Sequence, residues 1–201
     1  MTEYSDLNDN VRNYTETTTS VLPDTVITPF IESIEDQVLR TVDLTYYRKY
    51  DYATLTIGNA FLPLPGDWQN TRFVQTYDAA SATPERTFLL QKDISFMNEY
   101  WPDRTATGTP KYYAMWDDNT HYIAPTPDAA LTCELAYTYK PDGLSSTQTS
   151  TWLSQNAPNV LLYGCILQAL GYLKGPADMI QYYDKMYNQS VQALATYEMG
   201  R

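Results

Sequence analysis

His121 is the only histidine in the chain, so any nucleophilic relay would have to turn on it. A Ser-His-Asp or Cys-His arrangement needs an imidazole that takes and returns a proton beside a nucleophile. His121 lies instead in the strand-like triplet Thr120-His121-Tyr122, next to the turn Asp117-Asp118-Asn119, and no GxSxG stands elsewhere. It is expected to be a surface or strand residue. Cys133 and Cys165 could form a disulfide or share a metal, but there is no CxxC, and one histidine is too few for a standard zinc site. They read better as two small buried hydrophobes in a reducing compartment.

The phosphate cradles GxxxxGK[ST] and GxGxxG are both missing, and eight glycines are few for a chain that would wrap phosphate with backbone. Two separated carboxylates could hydrolyse a glycosidic bond. Glu85, Asp93, Glu99, Asp103, Asp117, Asp118 and Glu134 are the candidates, and no spacing selects a pair from them. Asp117-Asp118 is turn chemistry, and Glu134 reads as an outward residue alternating with Cys133 and Leu135. The expectation is a non-enzymatic protein with no catalytic, cofactor-binding or metal residues. A cell-wall muramidase is kept as an alternative.

The elements that would position such residues follow from periodicity. Leu7, Val11 and Tyr14 predict a weak amphipathic helix over residues 5–17, capped by Ser5 or Asp6. Ile27, Phe30, Ile31, Ile34 and Val38 make one stripe on a helix over 24–40, started by Asp24 or by Thr28 before Pro29. From Leu44 to Ile57 the chain is dense in β-branched and aromatic residues. Further strands are expected at 71–77, 86–91, 111–116, 121–124 and 131–139, with a short helix at 93–100 and a polar, mobile loop at 103–110.

A Ser/Thr-rich linker leads to Asn156, expected to cap an all-round apolar helix to Leu173. Gly175-Pro176 then ends that helix and starts a long one to Tyr197, with glycine at the C′ position. The fold predicted is α+β: a helical bundle formed from N- and C-terminal helices (1–43 and 146–201) with an inserted antiparallel β region (44–145).

On the last helix the apolar sector covers about half the circumference, where one packed face needs only about 100°. It is either wedged between two partners of its own domain or shared between core and a neighbouring subunit. The interface candidates are Tyr182, Tyr183, Met186, Tyr187, Met199 and Arg201.

Charge bounds the partners. Net charge is −11 and no basic patch is visible, which argues against gripping nucleic acid but not against DNA sliding past a repelling wall. Hydrophobic residues at 43% and charged residues at 18% exclude wholesale disorder. The longest apolar run, 160–173, is broken by Gly164, Gln168 and Gly171 and is short of the roughly 20 residues a bilayer span needs. The start, Met1-Thr2-Glu3-Tyr4-Ser5-Asp6, has no basic or apolar segment, so synthesis in the cytosol without a signal peptide is expected. The 19 tyrosines fit either protein interfaces or plain strand preference.

One ordered series of short motifs adds to this. It runs Tyr112-Tyr113-Ala114-Met115, Tyr122-Ile123-Ala124-Pro125-Thr126-Pro127-Asp128-Ala129, Glu134 to Tyr139, Leu144-Ser145, Trp152-Leu153, Asn156-Ala157-Pro158, Leu161 to Ala169 and Tyr172-Leu173-Lys174. In order and spacing it resembles the adaptor (connector) proteins that join head to tail in tailed bacteriophages. The resemblance is best over 110–175, looser over 44–65 and weakest over 66–110.

It implies a structural virion protein in a homo-oligomeric, twelve-fold ring. Its implied partners are a portal protein, a tail or nozzle protein and identical subunits, with DNA passing through the lumen without specific binding, and no membrane. It implies a place at the head–tail interface and no catalytic residues or cofactors. Another small neck or tail-completion protein is the alternative. Purified alone, such a chain is expected to be a monomer or weak oligomer.

Overall fold

The computed structural model describes residues 3–200. Among them are six α-helices: α1 (Tyr4–Tyr14), α2 (Asp24–Thr41), α3 (Ile94–Tyr100), α4 (Trp152–Asn156), α5 (Pro158–Tyr172) and α6 (Ala177–Met199). The chain is α+β and divides into two units, Met1–Tyr46 with Pro141–Arg201, and Tyr47–Lys140.

In the first unit the apolar stripes lie where periodicity puts them. Leu7 and Val11 of α1 and Ile27, Ile31, Ile34 and Val38 of α2 are fully buried, each such aliphatic contributing about 1.5–3 kcal/mol. Phe30, at the edge of the α2 stripe, meets Tyr172 edge-on at 6.2 Å. Arg12 fixes α1 to the start of α2: its Nε donates to the Leu22 carbonyl at 2.9 Å, and its guanidinium pairs with Asp9 and Asp24. The start of α1 differs from expectation. The helix begins at Tyr4, and the Asp6 carboxylate reaches back to the Glu3 N–H at 3.4 Å, so neither Ser5 nor Asp6 is the cap residue.

The apolar helix α5 packs against α1, α2, α4 and α6. Gly164 is what lets α2 approach, because a Cβ there would sit 2.8 Å from Ile34 Cδ1. Asn156 does not cap α5. Pro158 forces Ala157 out of the helical region (φ −136°, ψ 50°) and splits the run in two. The cap belongs to α4, where the Ser154 N–H donates to Thr151 Oγ1, while the Asn156 amide donates back to the Trp152 carbonyl.

The far end of α5 is also corrected. Lys174, not Gly175, holds the left-handed position (φ 55°). Lys174 N–H donates to the Gly171 carbonyl and Gly175 N–H to Leu170, a Schellman pair.

The second unit contains β1 (Arg48–Thr54), β2 (Phe61–Pro63), β3 (Trp68–Tyr77), β4 (Thr87–Gln91), β5 (Thr107–Gly108), β6 (Tyr112–Asp117), β7 (Thr120–Ala124), β8 (Thr126–Pro127) and β9 (Thr132–Tyr139). Seven of these form one sheet in the order β1-β9-β3-β4-β6-β7-β2. The wholly antiparallel expectation needs one correction: β4 and β6 run parallel, Leu90 opposite Tyr112. The connection between them carries α3, and such a crossover is what a parallel pair requires. The expected strand from Leu44 also begins late, with a 3-10 turn over Thr45–Tyr47.

One face of the sheet holds the core residues Leu62, Val74, Leu89, Ile123, Cys133 and Leu135. On the other face an aromatic ladder runs across strands, Tyr50 to Phe73 at 6.1 Å and Phe73 to Phe88 at 5.4 Å. The stretch 103–110, expected to be a mobile loop, is tied down. β5 pairs with β8, Thr126 Oγ1 donates to the Arg104 carbonyl, and Trp101 Nε1 donates to Ala106. The Arg104 guanidinium lies 4.7 Å from the Trp116 ring centre and 5.0 Å from that of Tyr122, a cation–π lock.

Candidate interface site

The long helix α6 starts where Pro176 breaks from the preceding turn and then presents two different faces. Tyr183, Tyr187, Leu194 and Glu198, spaced i, i+4, i+11 and i+15, are buried. The Tyr183 ring lies tilted against that of Tyr163, with ring centres 6.3 Å apart. The Glu198 carboxylate accepts the Thr45 N–H at 3.0 Å, tying the end of α6 to the segment after α2.

About a third of a turn away, Met179, Tyr182, Ala193 and Tyr197 form an exposed stripe, with Met186 half-buried beside it. At its far end the stripe borders a groove of about 320 Å³, whose other wall is the start of α5 at Ala157, Pro158 and Asn159. Among the described residues no charged side chain lines that groove, in a chain of net charge −11.

The expected interface residues are therefore divided. Tyr182 is 56% exposed and Met199 82%, whereas Tyr187 is only 5% exposed and Tyr183 is also buried. Met186 is intermediate, and Arg201 lies outside the described residues. The exposed stripe also includes Met179 and Tyr197, which share the spacing but were not among the interface candidates. Their signal was in the sequence: 179, 182, 186, 193 and 197 fall within one narrow sector at 100° per residue.

The residues with chemical potential are occupied by structure. His121 is 2% exposed rather than a surface residue. Its Nε2 lies 2.7 Å from Thr71 Oγ1, and Trp68 and Tyr113 pack against the ring. Burial lowers its pKa to about 4, so it is neutral at physiological pH.

Glu134 faces away from the core, as alternation requires, but is not exposed. The side chains of Gln75 and Arg86 cover it, with Gln75 Nε2 donating at 2.6 Å and Arg86 forming an ion pair. Asp93 caps α3 through the Ser95 N–H at 2.8 Å, Asp103 takes the Thr105 N–H at 2.9 Å and Asp117 the Asn119 N–H at 2.9 Å. Glu85, Glu99 and Asp118 are exposed.

Cys133 and Cys165 are free and buried, and burial pushes both thiols up, Cys133 to about 12. A buried carboxylate outside the candidate set is Glu35 on α2. It accepts the Leu144 N–H at 2.9 Å and the Thr151 hydroxyl at 3.1 Å, and burial raises its pKa. Glu35 thus anchors the Ser/Thr-rich linker. Among the described residues no cluster of histidine, cysteine or acidic side chains is arranged to hold a metal ion, and no helix is long and apolar enough to cross a membrane.

The model of the SU10 adaptor protein family matches residues 2–201. The chain belongs to that family. The match runs through 66–110, the stretch where the sequence resemblance was weakest. A search of curated proteins finds no match. Membership makes this a bacteriophage adaptor, a structural protein whose role implies contact with other components of the phage neck.

Proposed function

We propose that the chain is the head-to-tail adaptor itself, a ring of identical subunits seated between portal and tail with DNA passing through its lumen. The observation that carries this reading is the family match over 2–201. Three features support it. An excess of 11 negative charges gives a wall that repels phosphate and so lets a duplex slide. The α6 stripe offers exposed tyrosine and methionine, and the groove beside it is lined by apolar and neutral polar residues, surface of the kind that anchors protein contacts. Helices from both ends of the chain pack on α5, and the β unit is inserted between them in sequence.

The adaptor works without catalysis. His121 is sequestered as a neutral core residue, and the buried carboxylates Glu35, Glu134 and Glu198 are each held by structural hydrogen bonds.

Co-expression with the portal protein of the same phage tests the reading. The portal is expected to carry the chain through purification, with a complex mass corresponding to a ring of about twelve copies, the stoichiometry the resemblance implies. A chain that never co-purifies with portal, or that binds as a single copy, contradicts it.

A further inference from the structure

The two edges of the seven-stranded sheet differ in how far their outward backbone is closed. At the β2 edge, Ile123 N–H donates to the Ala60 carbonyl and Leu64 N–H to Asn119, so the even residues face β7 and residues 61 and 63 face out. Both outward donor positions are closed. Phe61 N–H donates to Asn59 Oδ1 at 3.0 Å, and Pro63 has no N–H.

At the β1 edge, Leu55 N–H donates to the Leu131 carbonyl at 2.8 Å. The odd residues of β1 therefore bond to β9, and the main chain of Tyr50 and Tyr52 points away from the sheet. Asp51 Oδ1 holds the Tyr52 N–H at 2.8 Å, where a partner carbonyl would otherwise sit. The strand has no proline, keeps an unbroken register with β9, and is exposed from Lys49 to Thr54. Such an edge is a template for strand addition.

We propose that β1 adds antiparallel to β1 of a second copy of this chain, about a two-fold axis at Tyr50. Backbone polarity permits only registers that set even residues opposite even residues. Lys49 bonds Asp67 of its own chain at 2.6 Å. In the register centred on Tyr50, Lys49 stands opposite the second copy's Asp51 and turns from Asp67 to it on pairing, and Asp51 stands opposite the second copy's Lys49. These are the non-hydrogen-bonded sites, where side chains come closest. A register centred on Asp51 would oppose two aspartates.

On the other face Tyr50 meets the second copy's Tyr50, so the ladder of Phe88, Phe73 and Tyr50 continues into the neighbour. A two-fold pairing closes on itself and does not propagate around a ring. This is a state of the free chain, independent of the adaptor reading, and it must open before any ring forms through β1.

Sedimentation equilibrium of the full chain, up to about 1 mM, tests this with two charge variants. Wild type is expected to show a reversible monomer–dimer equilibrium. Asp51→Lys and Lys49→Asp should each weaken self-association by about tenfold, since each places like charges opposite one another twice per dimer. Mixing the two variants should restore a dimer, because both facing pairs are then opposite in charge.

Both variants lie on an exposed strand. Lys49→Asp also gives up the Lys49–Asp67 ion pair, so melting is read for each, and Asp51→Lys, which keeps that pair, must weaken the dimer at unchanged melting. Tyr50→Pro removes an outward donor that the sheet itself does not use, and should abolish the dimer while leaving the ladder to β9 intact. A chain monomeric throughout the range, a dimer indifferent to these substitutions, or a mixture that fails to pair would overturn the proposal.

Discussion

His121 sits in β7 with its ring between Trp68 and Tyr113, and its pKa of about 4 lies well below the ordinary 6.5. The unfolded chain binds the proton more readily, so the histidine's contribution is fully present above about pH 6.5 and is lost as pH falls toward 4. The loss amounts to about 3 kcal/mol at 1.36 kcal/mol per unit. Glu35 titrates in the opposite sense, its carboxyl raised by burial. The informative measurement is therefore urea unfolding of wild type against His121→Phe between pH 7 and 4. Wild type should lose stability relative to the variant as pH falls.

The two tyrosines at opposite edges of the α6 apolar sector now have assigned fates. Tyr187→Ser removes a buried ring and should cost about 3 kcal/mol or more in thermal unfolding. Tyr182→Ser should melt as wild type does, yet block docking to the portal. If Tyr182→Ser both melts and assembles normally, the α6 stripe is not the interface. What the sequence hid at this scale is pairing over distance. Glu134 looked like a solvated outward residue because its cover, Arg86, is 48 positions away, and Glu35 meets Thr151 across 116.

At the scale of elements, periodicity located α1, α2 and α6, the long apolar run located α5, and β-branched and aromatic density located most strands. The misplacements fall where a single backbone feature overrides the pattern. Pro158 cuts the α4–α5 run, and the left-handed position after α5 falls on Lys174 rather than on the glycine beside it. Lys174→Gly should therefore stabilise the protein by about 0.5–1 kcal/mol, read from melting, since glycine takes that conformation without a Cβ penalty.

The contact of α2 with α5 responds in the other direction. Gly164→Ala drives a methyl into Ile34 and should cost about 1–3 kcal/mol. Ile34→Val, by vacating the 2.8 Å approach, should recover part of that loss in the double variant. The parallel β4–β6 pair was not legible, because strand direction depends on how a crossover folds back rather than on strand composition.

For the whole molecule, the α+β class was readable from the order of helical and strand patterns, and the family from the order of short motifs spread over about 65 residues, none of them specific alone. The acidic excess was readable too, and it sets the behaviour of the free chain. Subunits carrying −11 repel within a Debye length, so no closed ring should form from the isolated protein at low salt. Analytical ultracentrifugation checks this, and a stable high-mass ring would count against the account.

Catalysis is the other whole-molecule claim. Turnover of peptidoglycan, nucleotides or esters that is abolished by substituting Glu85, Glu99 or Glu134 would sink the structural reading. The most direct measurement is electron microscopy of the assembled particle, comparing wild type with one in which this chain carries a fused marker domain. The account predicts a ring of marker density between portal and tail, coaxial with the DNA channel; marker density elsewhere in the virion, or at a single off-axis position in the neck, would contradict it.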